Sequence, residues 1–418
     1  MRKKTLCGGC RHHLPAPFLD LGDSPLANSY VDPAVPAATE FRAPLAVAFC
    51  PGCYLVQLTH IVPPAQMFFS YLYFSSFSES YLRHAQKMAD ELCDRFGLGS
   101  DNTVVEIASN DGYLLQYFQQ RGVKVLGIDP AENISEAARQ RGIPTWTRFF
   151  EPDLLPELEC AVGKVDLIIG NNVLAHVPKI NAFLTAVHGA LANSGHAVFE
   201  FPYVLDLLQR NEYDTIYHEH VYYYSLSAVK RLAERACLDV IDVSHQSVHG
   251  GTLRVFLGKY ASAAPSAAVD AMLRAERTAG LLTAARYWQL GNAVEKQKAE
   301  FTGLLRRLRA ARKTVAAYGA PAKGNTLLNA CGIDRRLIDF TVDKNEHKQG
   351  LLLPGSHIPI LSPDALLQHQ PDYAVILPWN LATEIVEQQA EYVRRGGKFI
   401  LPIPSPRIVG GNELPEAA

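Results

Sequence analysis

Val104-Val-Glu-Ile-Ala-Ser-Asn-Asp-Gly112 is the stretch that decides the fold of this chain. Its first half, through Ala108, reads as a strand, Ser109-Asn-Asp-Gly112 as a turn, and Tyr113 to Gln120 as a helix. A strand, tight turn and helix in that order place a nucleotide at the carboxyl edge of a sheet. Downstream, Val123 to Ile128 reads as the next strand and ends at Asp129, Asp166 to Ile169 leads into Asn171-Asn172, and Ala197 to Phe201 ends at Pro202. Val240 to Val243 and Thr252 to Leu257, around His249-Gly-Gly251, read as a closing antiparallel pair. The alternation predicts an α/β chain built on a parallel, doubly wound sheet.

The turn lacks the G-x-G-x-x-G fingerprint that brings backbone against a pyrophosphate. That argues against NAD and for a cofactor without phosphates, S-adenosylmethionine. Asp129 is placed to accept hydrogen bonds from both ribose hydroxyls. Glu106 would fix the turn or the amino-acid end of the cofactor, with Ala108, Ser109 and Asn110 forming the cradle. Asn171 and Asn172 would lie beside the sulfonium. A parallel sheet closed by an antiparallel hairpin is the arrangement of class I methyltransferases.

Upstream, Cys7-Gly-Gly-Cys10 and Cys50-Pro-Gly-Cys53 are two C-x2-C knuckles. Each sets two thiolates on a tight turn, and the pair completes a tetrahedron for Zn²⁺. Four thiolates leave no open position, so the expected zinc is structural. Cys93, Cys160, Cys237 and Cys331 have apolar neighbours and are expected to be buried. A chain of 418 residues is too long for one core. With about half its residues apolar and a formal charge of -2, it gives no sign of binding nucleic acid. No run approaches the ~18 apolar residues of a membrane span. The expected compartment is the cytoplasm. Oligomeric state is left open, a monomer being compatible with the sequence.

The expected division is a zinc module over 1–66, a cofactor domain over 67–259, a helical connector over 260–312 and a second Rossmann-like α/β unit over 313–410. Strands of the last unit are expected at Thr314 to Tyr318, Leu337 to Val342, Ala374 to Leu377 and Lys398 to Leu401. An aromatic stretch from Phe68 to Tyr81, with Tyr71 and Tyr73, is either packing or a lid over the cofactor.

Proton-handling groups concentrate in Asp214-Thr-Ile-Tyr-His-Glu-His-Val-Tyr-Tyr-Tyr224. Histidine, with an ordinary pKa of about 6.5, suits proton abstraction near neutrality, and a tyrosine hydroxyl can hold an enolate. His218 and His220 would share a face on a strand and could bind a metal there, but a third ligand is not evident. His176 reads equally as a site residue or a buried histidine. In the last unit, Gly319-Ala-Pro-Ala-Lys-Gly-Asn-Thr326 resembles a P-loop with Asn325 where the lysine belongs, which argues against ATP hydrolysis. Lys323 and the turn can receive a diphosphate at a helix N-terminus, Asp343 a sugar or ribose, and Trp379 a base, with Lys348 adding positive charge.

Taken in order, these motifs resemble the bacterial C-methyltransferases of nucleotide-linked deoxysugars. The likeness also covers Tyr71-Leu-Tyr-Phe-Ser-Ser76, Asn172-Val-Leu-Ala-His176, His249-Gly-Gly-Thr-Leu-Arg254, His347-Lys-Gln-Gly350 and Pro378-Trp-Asn380. The resemblance implies methyl transfer from S-adenosylmethionine to a carbon beside a ketone, with C-3 of a dTDP-linked 4-keto-deoxysugar as the expected position. It implies His220 as the base, Tyr217 over the keto oxygen, and Glu219, His176 and Tyr71 lining the site. Ala108 stands where many methyltransferases have glycine, and is expected to be tolerated because the turn begins one residue later. Two alternatives are an O- or N-methyltransferase and a non-catalytic, zinc-bearing module that binds nucleotide sugars.

Overall fold

Three sheets account for nearly all strands of the computed structural model, which describes residues 2–36, 39–67, 74–77, 79–246 and 250–410. The central sheet runs Leu238–Gln246, Thr252–Lys259, Leu191–Pro202, Val165–Asn171, Thr103–Ile107, Lys124–Ile128, Thr145–Trp146. Its last five strands are parallel, and Thr252–Lys259 lies antiparallel to both of its neighbours. Every residue of Thr103–Ile107 is buried, as expected of a parallel strand covered on both faces. The parallel sheet closed by an antiparallel pair, expected from the sequence, is therefore present.

The C-terminal sheet runs Ile360–Leu361, Thr341–Val342, Val315–Tyr318, Tyr373–Ile376, Lys398–Leu401, Arg407–Val409, parallel except for the final strand. The strand expected from Leu337 begins only at Thr341, because the Leu337 and Ile338 amides turn back to the Asp334 carbonyl at 3.0 and 3.1 Å. The connector forms two helices, Ala267–Thr278 and Ala284–Ala310. In the second, Tyr287, Leu290, Val294, Gln297, Phe301 and Leu305 are buried at three- and four-residue spacing, which is one face of a helix.

The cysteine module does not stand apart. Its antiparallel sheet, Leu19–Pro25, Arg42–Phe49 and Val56–Leu58, takes a fourth strand, Tyr222–Tyr223, from the His-Glu-His segment. One apolar core joins Cys7, Cys50, Cys53 and Leu55 to Val105, Leu174 and Tyr224 of the central domain. A second joins Phe18, Val47 and Phe49 to Tyr287 of the long helix and to Leu327 and Leu377 of the C-terminal unit. Phe49 stacks on Tyr287 with ring centroids 4.4 Å apart, a contact worth about 0.5–1.5 kcal/mol beyond its burial. Of the unpaired cysteines, Cys93 is buried and Cys331 half-buried, but Cys160 and Cys237 are exposed. They lie at the end of a helix and after one, where apolar neighbours in sequence do not face the core.

Candidate active site

The cofactor turn has a strained backbone. Ala108 and Asn110 take φ of +52° and +50°, and Gly112 +77°. Ala108, which stands where many methyltransferases have glycine, takes the left-handed conformation itself, at a cost of about 1–2 kcal/mol. Asp129 holds the turn, its carboxylate accepting the Asn110 amide at 3.0 Å and the Ala131 amide at 2.9 Å. Burial pushes that carboxyl up to about 6, against the pull of those two amides. Ser75 docks its amide on Asn110 Oδ1 at 2.9 Å, while Ser76 and Arg141 both bond Asp111.

Several buried oxygens around this turn close no hydrogen bond among the described residues: both of Glu106, Ser109 Oγ and Asn171 Oδ1. Burial pushes Glu106 well above the carboxylate range, with the nearby Tyr113 hydroxyl opposing. Asn171 Nδ2 donates to the Tyr113 hydroxyl at 3.2 Å, and Asn172 is set in the left-handed region with φ of +56°. Unsatisfied acceptors at the carboxyl edge of such a sheet suit a ligand bearing an ammonium and ribose hydroxyls. The donor set therefore fits S-adenosylmethionine.

The four sulfurs of Cys7, Cys10, Cys50 and Cys53 lie within 4.8 Å of one another. Cys7–Cys53 and Cys10–Cys50 sulfur separations are 3.5 and 3.4 Å. A tetrahedral Zn–S bond of about 2.3 Å implies sulfur contacts of about 3.8 Å, so the cage fits zinc with little adjustment.

The His-Glu-His residues are not on a strand, so His218 and His220 do not share a face. His218 is buried, with Nε2 beside the Ala43 carbonyl at 3.2 Å. His220 is half-buried, with Nδ1 3.0 Å from the Thr215 carbonyl and Nε2 2.8 Å from the Tyr217 hydroxyl. The carbonyl can only accept, so Nδ1 carries the proton and Nε2 presents its lone pair to the phenol. Burial holds this imidazole well below its ordinary pKa, and His176 adds to the shift. The two rings meet edge to face at 4.8 Å. Burial lowers His176 to about 4. Glu219 accepts from Asn28 Nδ2 at 2.7 Å, its other oxygen closing no bond among the described residues, and burial pushes it up to about 7. Tyr71 lies outside the described residues, as do its neighbours 68–73 and His249.

The C-terminal unit reaches this segment. Trp379 Nε1 donates to Asp214 Oδ2 at 2.7 Å, and the Lys323 ammonium sits 4.7 Å over the indole while donating to Asn380 at 2.8 Å. The ring expected to stack on a base is 6% exposed and has that ammonium on one face. Burial lowers Lys323, opposed by Asp214 and Glu212, while burial pushes those two carboxyls up to about 6 and about 8. Asn325 is buried and donates to the Ala27 carbonyl at 2.7 Å. Asp343 accepts the Ala320 and Asn345 amides at 2.6 and 2.8 Å, and Lys348 donates to the Ala320 carbonyl at 3.0 Å.

Several groups escaped the sequence reading. Asn28 and Tyr30, which donates to the Ala320 carbonyl at 2.6 Å, sit between the cysteine pairs with no local signature. Glu200 is buried between Arg254 and His84, at 2.7 and 2.9 Å. A carboxylate inside an apolar strand was its only signal.

Among the described residues no helix is long and apolar enough to cross a membrane. Three family descriptions cover most of the chain: "Putative zinc binding domain" over 7–68, "Methyltransferase domain" over 81–243 and "C-methyltransferase C-terminal domain" over 247–404. The chain is 38% identical over 413 residues to the C-methyltransferase NovU of Streptomyces niveus, covering 97% of each. Solved structures match loosely. Magnesium protoporphyrin IX methyltransferase (ChlM) from Synechocystis PCC 6803, with bound SAH, is 14% identical with a TM-score of 0.34, over 43% of this chain and 83% of that one. The CcbJ methyltransferase from Streptomyces caelestis is 10% identical with a TM-score of 0.32, over 42% and 90%. Neither overlap carries an argument; the full-length relative does, and with the fitted cofactor turn and the four-cysteine cage it makes this chain a member of the C-methyltransferase family, dependent on S-adenosylmethionine and built around a zinc-binding N-terminal module.

Proposed function

We propose that the chain methylates a carbon beside the ketone of a nucleotide-linked 4-keto-deoxysugar, with dTDP as the carrier and C-3 as the position, with His220 as the base. The observation that carries this is the ordered line from the Thr215 carbonyl through His220 to the Tyr217 hydroxyl. A carbon becomes a nucleophile only when it loses a proton, so C-methylation requires a base, and a ketone beside it stabilises the resulting charge. Thr215 fixes the tautomer that leaves Nε2 free to take that proton. A depressed pKa keeps the ring neutral at physiological pH, which is the form a base needs.

Tyr217 now occupies the lone pair that must act. In this mechanism its hydroxyl turns from Nε2 to the keto oxygen as substrate enters, uncovering the base and supplying a donor for the enolate. His176 and Glu219 line the same cleft, and Tyr71 belongs with them by resemblance. S-adenosylmethionine supplies an electrophilic methyl, and the residues assigned to hold it are Glu106, Ala108, Ser109, Asn110, Asp129, Asn171 and Asn172. Lys323 and Lys348 of the C-terminal unit face the diphosphate end of the substrate and Asp343 its sugar or ribose, with Asn325 and Trp379 bracing them. The proposed compartment is the cytoplasm, where thiols stay reduced for a four-cysteine site.

The test is solvent deuterium exchange at the substrate carbon without S-adenosylmethionine, read by mass spectrometry on a panel of 4-keto nucleotide sugars. The intact chain should wash deuterium into the α position. His220→Asn should slow this by about 10²–10⁴-fold while S-adenosylmethionine affinity is kept. Exchange at the original rate in that variant removes His220 as the base, and methyl found on oxygen or nitrogen once S-adenosylmethionine is added removes the reaction.

A further inference from the structure

Gln57 sits in the middle of the strand Val56–Leu58 and is fully buried. Its carboxamide closes two bonds onto the first cysteine turn: Nε2 donates to the Cys7 sulfur at 3.0 Å and Oε1 accepts the Gly8 amide at 3.0 Å. Its backbone stands opposite Tyr222 in the antiparallel pairing, and the next amide, Leu58, donates to the Val221 carbonyl at 2.9 Å.

The same turn is held from the other side. Asn181 Nδ2 donates to the Gly8 and Gly9 carbonyls at 3.2 and 2.7 Å. Tyr222 donates its hydroxyl to the Pro178 carbonyl at 2.9 Å, with the Lys4 ammonium 4.6 Å from its ring centre. Position 8 must be glycine here, since a Cβ would stand 2.0 Å from the Tyr222 hydroxyl. His220 lies just before Tyr222 in the chain and His176 just before Pro178. Both imidazoles are therefore reached through segments clamped on one cysteine turn.

We propose that Gln57 is a positioning residue that couples the filled zinc cage to the placement of His220 and His176. A thiolate on zinc keeps much of its negative charge, so a donor bonded to the ligand rather than to the metal both stabilises it and fixes its direction. The other end of the same carboxamide fixes the turn at Gly8. One side chain thus ties the metal site to the register of the strand that follows His220. A slip of one residue there would exchange the faces of Tyr222 and Tyr223 and displace the histidine. The inference does not require His220 to be the base.

The test uses the zinc-loaded full chain and Gln57→Met, which keeps the volume and loses both bonds. Transfer of zinc to a chromogenic chelator should run about 10–100-fold faster. Amide hydrogen exchange across residues 217–224 should quicken about tenfold while that of 103–107 is unchanged. Gln57→Glu keeps the acceptor for Gly8 but sets a carboxylate against the thiolate. It is read by the same two measurements, should lose zinc faster still, and serves alone if the methionine variant does not fold. Zinc held as tightly as in the unsubstituted chain overturns the proposal, as does exchange that quickens equally in both segments.

Discussion

In the central sheet Asp129 ends a strand and accepts the amides of Asn110 and Ala131; in the C-terminal sheet Asp343 ends a strand and accepts those of Ala320 and Asn345. In both, the second amide lies two residues beyond the aspartate and the first lies in the turn after the neighbouring strand. The surroundings differ. Around the central turn, Glu106 and Ser109 keep buried oxygens without partners among the described residues. At the C-terminal turn, the Ala320 carbonyl receives Tyr30 and Lys348, and Asn325 reaches Ala27. The same topological edge keeps carboxylate and hydroxyl oxygens unspent in the central sheet, where the cofactor is proposed to sit. In the C-terminal sheet it also ties modules together, with Asn325 Oδ1 still without a partner among the described residues.

That contrast can be broken by one pair of variants. Asp129→Ala should strand two amides, at about 1–3 kcal/mol each, and weaken S-adenosylmethionine binding by at least about tenfold in calorimetry. Asp343→Ala strands two amides as well but should leave that affinity unchanged. Equal loss of cofactor in both variants would erase the distinction.

A smaller effect tests the joint. Trp379→Phe removes the donor to Asp214 and should cost about 1–3 kcal/mol in thermal or denaturant unfolding. Its pH dependence has a definite sign. The folded carboxyl of Asp214 is pushed up to about 6, so its contribution is present below the unfolded value near 4 and is lost as pH rises through about 6. Removing the indole donor raises the folded value further, so the variant should fall behind the parent more at pH 8 than at pH 5. A constant gap would mean that the hydrogen bond does not act on the carboxylate.

The smallest effect sharpens the cradle. Ala108→Gly relieves the left-handed backbone and should stabilise the chain by up to about 1 kcal/mol in thermal or denaturant unfolding. Destabilisation would show that the methyl group is needed for packing.

The central sheet was legible because Val104, Val105 and Ile107 form a buried run closed by a turn at Gly112, and such runs repeat. Thr145–Trp146, Ile360–Leu361 and Arg407–Val409 were not, since strands of two or three residues are too short for any alternation to register. The four-cysteine cage was readable from spacing alone. The partners of the His-Glu-His segment were not: Asn28 is 191 residues from Glu219 and Trp379 is 165 from Asp214, and no local pattern encodes contacts that distant. Tyr222 and Tyr223 pair as a strand with Gln57 and Val56, far upstream in the cysteine module, and nothing local names that partner.

That borrowed strand has a consequence for recombination. A chimera cut between the cysteine module and the methyltransferase domain would join an edge from one parent to a strand from another, with the imidazole two residues before it. Parents that differ at Gln57, Gly8 or Tyr222 would then give a chain whose domains are each intact and whose seam is mismatched. Inheritance that preserves the site keeps residues 7–58 and 217–224 from a single source, although more than 150 residues separate them.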